Sequence, residues 1–149
     1  AMIMDYLKSC SLFIVLGVLT RFSCSLIESN FLVSFLSNNL ITLLIALLAI
    51  NTTTGSVVMT KLREIIERHG GDFSATLGQL KLSIVEQLVF IVLAILFLVL
   101  LGSKPVIDSN QYIKPLLESG LIAVFIASLH NLYDTANSIF VILGWEGEQ

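Results

Sequence analysis

The chain has 149 residues, 56% of them hydrophobic and only 13% charged, against about 25% charged in an ordinary soluble domain. A globule of this size has too little interior to hide that much apolar surface from water, and the bilayer is the solvent that fits. The net charge of −3 is small and the basic residues form no long run, which argues against direct contact with nucleic acid.

A membrane-crossing helix needs about 20 mostly apolar residues. The first candidate covers about 7–27 and is interrupted by Arg21. Lys8 followed by the apolar run 11–20 has the outline of a secretion signal. No clean small-x-small cleavage site follows, however, and Arg21, Phe22 and Ser23 before Cys24 do not make a lipoprotein site. The segment is read as a retained helix, with Cys10 and Cys24 as small packing residues; intermolecular pairing or lipidation are the alternatives.

Glu28, Ser29 and Asn30 break the chain before a second span at about 31–50, whose strongly polar members are Asn38 and Asn39. The run from Asn51 to Ser56 is too polar for exposure to lipid. A helix is nevertheless able to continue through it, because Val58, Leu62, Ile65 and Ile66 recur at helical spacing with Lys61, Arg63, Glu64 and Glu67 between them. Gly70 and Gly71 then stop it. Asp72 or Ser74 caps the third helix, which is amphipathic over 79–87 and wholly apolar over 88–101. Span length is reached over about 82–101 and draws Glu86 and Gln87 towards the membrane. Gly102 and Pro105 end it, a polar loop runs to Lys114 and Pro115, and the last span covers about 116–137. Trp145 suits a membrane–water interface.

The expected fold is therefore all-α: an integral membrane protein whose residues 1–149 form a single domain of four transmembrane helices. Helices 2 and 3 extend into a helical hairpin over about 51–81. Lys61, Arg63, Arg68 and Lys81 in the central loop, with Lys8, outnumber Lys104 and Lys114 on the other side. The positive-inside rule then places both termini and the hairpin in the cytoplasm.

Ionisable groups inside spans cost roughly 2.5–3.5 kcal/mol each on insertion scales, so each calls for a reason. His130 and Asp134 are four apart and share a helix face with Asn137, and Asn131 lies beside them. Together with Glu86 they form a candidate polar intramembrane cluster at the cytoplasmic end. Read functionally, this is a hydrated vestibule or ion path, and a pH-sensing role is open to a histidine. Read structurally, it is a set of helix ends bonded to one another in the headgroup layer. Arg21 either snorkels to the outer surface or pairs with Glu28 or Glu118. Ala123 and Ala127 form a small-x-x-x-small pair, and Ala46, Ala49 and Ser128 are further small residues that permit close helix approach.

No Gly-x-Ser-x-Gly, no nucleophile with a base at recognisable spacing and no Cys/His metal cluster occurs. Neither enzymatic activity nor a metal or other cofactor is expected.

Two spans, a basic helix carrying Lys61, Leu62, Arg63 and Glu64, two further spans and an end near Leu132 and Tyr133 give a layout that resembles the lambda-type Rex exclusion membrane proteins and similar small four-span proteins of phage-defence loci. The resemblance lies in architecture and short fragments and carries no site residue across. It implies a bacterial inner-membrane component of anti-phage defence that senses envelope disturbance or forms a pore as a homo-oligomer. It also implies a cytosolic partner, for which Lys61, Arg63, Glu64, Glu67 and Arg68 on the hairpin offer a docking surface. A small ion channel or transporter subunit is the second reading, and a holin-like or purely structural membrane protein the third.

Overall fold

The computed structural model describes residues 2–69 and 74–146. Regular structure among them is entirely helical: α1 (Met2–Leu26), α2 (Phe31–His69), α3 (Ser74–Gly102), α4 (Lys104–Ser109) and α5 (Ile113–Glu146). α1, α2, α3 and α5 are each long and apolar enough to cross a membrane.

The turn between α1 and α2 is closed mainly by backbone hydrogen bonds, with Phe31 N–H also donating to Ser29 Oγ at 3.4 Å. Ser29 N–H donates to the Cys24 carbonyl at 2.9 Å and Glu28 N–H to the Ser25 carbonyl at 3.2 Å, so the last carbonyls of α1 are satisfied where the helix stops. Glu28 holds φ 52, the left-handed conformation normally left to glycine. Glu28→Gly is therefore expected to raise stability by about 1 kcal/mol, read as a higher midpoint in detergent-induced unfolding.

α2 is 39 residues long, about 58 Å at the helical rise of 1.5 Å per residue. Its polar middle does not break it because the side chains hide on their own helix. Thr52, Thr53, Ser56 and Thr60 each donate a hydroxyl to the carbonyl four residues back at 2.8–3.0 Å. Each hydroxyl thus sheds its need for water without leaving the helical path.

α5 is the axis of the bundle, packing on α1, α2 and α3, while α2 also packs on α3. The apolar core lies where α2, α3 and α5 meet. Leu36, Leu40 and Leu44 interdigitate there with Ala94, Leu121, Ile122 and Val124. At one end of α2 and α3, Val58 and Leu62 pack against Leu80 and Leu77 in a second small cluster. Elsewhere the large apolar side chains point outwards, Val15, Leu19 and Phe22 on α1 and Val92, Leu96 and Val99 on α3 among them. In water so wide an apolar exterior invites association; hydrocarbon accepts it.

α1 packs on α5 through three contacts spread along its length. At one end Arg21 Nε donates to Glu118 Oε2 at 2.6 Å, with the Glu118 side chain buried and that of Arg21 largely so. One turn away Gly17 lets the backbones meet, since a Cβ there would lie 2.5 Å from the Ser119 carbonyl oxygen and 3.0 Å from Ala123 Cβ. Further along, the Phe13 and His130 rings meet edge to face, 5.3 Å between centroids. Of the small residues singled out in the sequence, Ala123, Ala127 and Ser128 are buried, whereas Ala46 and Ala49 face outwards.

Two boundaries differ from the sequence reading. The segment after α3 is not a loop to Pro115: Pro105 opens the short helix α4, since a missing N–H costs nothing in a first helical turn. By the same logic Pro115 sits in the opening turn of α5, which begins at Ile113. The expected stop at Gly70 and Gly71 and the cap at Asp72 lie outside the described residues, as does the Trp145 side chain.

Candidate functional site

The cluster forms because two helices present polar faces at the same level. On α5 the four-residue spacing stacks His130 on Asp134, with His130 Nδ1 3.2 Å from Asp134 Oδ2 and both side chains more than half exposed. Asn131 turns the other way and is buried. Its amide nitrogen donates to the Ser83 carbonyl at 2.9 Å, and its amide oxygen accepts from the Ser83 hydroxyl. Thr135 Oγ1 adds a third contact, 2.9 Å from Ser83 Oγ. Ser83, Asn131 and Thr135 thus make a polar clasp between α3 and α5. Interhelical bonds of this kind average about 0.6 kcal/mol and reach about 1.7 kcal/mol inside membranes. Asn131→Leu, which breaks two of them, is expected to cost about 1–2 kcal/mol, measured as a lower unfolding midpoint against wild type.

Behind the clasp lie two carboxamides. Gln87 is fully buried and reaches the Leu44 carbonyl of α2 with its nitrogen at 3.4 Å, while Asn51 of α2 is 1% exposed. Asn51 Nδ2 and Oδ1 and Gln87 Oε1 have no hydrogen-bond partner among the described residues. Unpaired buried groups of this type cost about 1–3 kcal/mol each, so this interior layer is polar at the expense of stability.

In front of the clasp is a cleft of about 780 Å³. α1 and α3 form its walls and α5 its floor. All five residues of the expected cluster, Glu86, His130, Asn131, Asp134 and Asn137, line it. Its lining is mixed: Ser9, Thr76, Gln79, Asp134 and Ser138 contribute polar groups, Leu80, Leu82 and Val85 are interleaved with them along α3, and Phe13, Val89, Phe90 and Leu93 are apolar.

The remaining singled-out residues lie elsewhere. Arg21 is far along α1, paired with Glu118. Lys61 and Glu64 form a half-exposed pair at 3.0 Å, and Arg63 and Glu67 a well-exposed one at 3.2 Å, along the distal part of α2; Arg68 is exposed beside them. Among the described residues no group of three or more His, Cys, Asp or Glu is placed to hold a metal ion. Ser83, Thr135 and Gly17 escaped the sequence reading. Ser83 shares its face of α3 with Leu80 and Gln87 at spacings of three and four, a pattern that marks a polar residue on a packing face.

No family model, curated protein or solved structure matches the chain. The class the fold defines is a small bundle with four helices capable of crossing a membrane.

Proposed function

We propose that the chain is a multi-pass protein of the bacterial inner membrane that works as an oligomeric sensor or pore-forming effector of anti-phage defence, together with a cytosolic partner. The supporting observation is the length of α2. At about 58 Å it exceeds the roughly 30 Å hydrocarbon core by nearly half its length. Its distal half carries Lys61, Arg63, Glu64, Glu67 and Arg68 and packs on α3 through Val58, Leu62 and Leu80. A braced helical pair beyond the membrane, charged on its outer surface, suits a partner that docks from the cytoplasm.

Self-association is supported by the outward face of α2. Asn39, Thr42, Ala46, Ala49, Thr53 and Ser56 follow one another at alternating spacings of three and four, and all are exposed. Small residues let helix backbones approach closely, and the Asn39 carboxamide gains a polar neighbour when a second copy covers it. Four helices of this size also leave no room for a water-filled channel within one chain, so a pore requires several copies.

The test is native mass spectrometry of the protein extracted in mild detergent. A closed oligomer with a stoichiometric cytosolic protein is expected. Arg63→Glu with Arg68→Glu should remove the partner by at least tenfold and leave the oligomer, while Ala46→Leu should disperse the oligomer. A monomer insensitive to Ala46→Leu, or a partner retained by the charge-reversed chain, contradicts the reading.

A further inference from the structure

The facing sides of α2 and α3 follow a seven-residue pattern. Leu44, Asn51 and Val58 are buried on α2, and Leu80, Gln87 and Ala94 on α3. A repeat of that length is the seam of two helices wound about each other, and such a seam is normally apolar in every layer. Its outer layers here are apolar: Val58 packs with Leu80 in one cluster, and Leu44 and Ala94 belong to the other. The order is reversed between the two helices, so they run antiparallel. A step of seven residues inward from either outer layer therefore brings Asn51 level with Gln87. The bond from Gln87 Nε2 to the Leu44 carbonyl, 3.4 Å, fits that register. The middle layer of the seam is thus a pair of carboxamides shut between two apolar clusters.

Three atoms of this pair lack a hydrogen-bond partner among the described residues: Asn51 Nδ2, Asn51 Oδ1 and Gln87 Oε1. They comprise one donor group and two acceptors. There is also room beside them. Gly55 lies one turn from Asn51 on the same face and is buried, yet a Cβ there would meet nothing within 4 Å. At Gly17 and Gly120, by contrast, a Cβ would meet its neighbours at 2.5 Å and 2.9 Å.

An occupant of this layer has to accept and donate at once. A metal cation offers nothing to Asn51 Nδ2, and the two side chains are uncharged and do not offset its charge. An apolar ligand satisfies none of the three atoms. Water does both, and holding one molecule costs less than leaving the groups it joins unpaired. We propose that the Asn51–Gln87 layer is an internal water site. At least one molecule accepts from Asn51 Nδ2 and donates to Gln87 Oε1, joining α2 to α3 between the two apolar clusters. Such a layer also fixes the register of the seam, because sliding either helix by two turns sets a carboxamide against an apolar layer. The proposal goes beyond the sensor reading and needs neither the partner nor the oligomer.

The experiment uses the full chain, isotope-labelled in lipid nanodiscs, and follows magnetisation transfer from water to individual amides by solid-state NMR. Transfer to the side-chain amides of Asn51 and Gln87 is expected to build up at least threefold faster than to the backbone amides of Leu44 and Val58. Those two residues are buried one layer to either side, so they report water that merely approaches from an end of the seam. Asn51→Leu removes one of the two anchors and should slow the build-up at Gln87 at least threefold. The wild-type comparison decides by itself if that variant does not fold. Build-up at Asn51 and Gln87 no faster than at Leu44 and Val58, or an unchanged rate at Gln87 in the folded variant, overturns the proposal.

Discussion

Gly17→Val is expected to release α1 from the rest of the bundle. The position has no slack: a Cβ would sit 2.5 Å from the Ser119 carbonyl oxygen and 3.0–3.1 Å from Ala123, and the obstructing atoms are mostly backbone. Overpacking a well-filled contact costs about 1–3 kcal/mol when side chains can yield, and backbone on backbone places this substitution at about 3 kcal/mol. Because α5 is the one helix on which α1 packs extensively among the described residues, displacement at Gly17 carries the Phe13–His130 and Arg21–Glu118 contacts with it. The readout is cross-linking by a short bifunctional maleimide of cysteines introduced at Phe13 and His130, in a chain with Cys10 and Cys24 replaced by serine. The cross-link should form readily while Gly17 is kept and fall at least tenfold once Gly17→Val is added. Gly78→Ala is the control, since nothing lies within 4 Å of a Cβ there and a helix gains about 0.5–1 kcal/mol from the exchange.

The second large effect is expected at the ion pair. Glu118→Leu leaves the Arg21 guanidinium without its carboxylate in a site where the Arg21 side chain is only 22% exposed. Removing one partner of a buried pair costs about 3–5 kcal/mol, because the survivor is left charged and unpaired. Snorkelling towards the nearby helix end recovers part of that, so about 3 kcal/mol is expected in the unfolding free energy. Arg21→Leu combined with Glu118→Leu should recover most of the loss, since an apolar pair of similar volume needs no compensation. A double variant as unstable as Glu118→Leu alone would show that Arg21 is not what the carboxylate serves.

Much of the fold is legible in the sequence because hydrophobic length is a local property. The apolar run in α3 and the paired positions His130 and Asp134 need nothing but chain order to be found. Arg21 marks itself by the expense of a charge in a span, and the choice between Glu28 and Glu118 as its partner is settled only by how α1 lies on α5. Packing is where local reading stops. Gly17 carries no signature of its contact, since Ser119 and Ala123 are about a hundred residues away. Ala46 and Ala49 look like Ala123 and Ala127 in sequence, yet the first pair faces outwards and the second is buried. Ser83 passes for an ordinary small residue until Asn131 and Thr135 stand opposite it. Proline misleads in a different way. Pro105 reads as the end of α3, which does stop at Gly102, but it also opens α4. Pro115 reads as loop yet lies in the first turn of α5, where the missing N–H is accepted.

The arrangement of helices in the bilayer is the claim on which the rest depends, and cysteine accessibility in oriented vesicles tests it most directly. In a chain with Cys10 and Cys24 replaced by serine, Glu67→Cys at the distal end of α2 and Asp108→Cys in α4 report on opposite ends of the bundle. With a membrane-impermeant maleimide, Glu67→Cys should be labelled from the cytoplasmic side alone and Asp108→Cys from the outer side alone. Labelling of both positions from the same side would contradict the four-span account and remove the cytoplasmic docking surface with it.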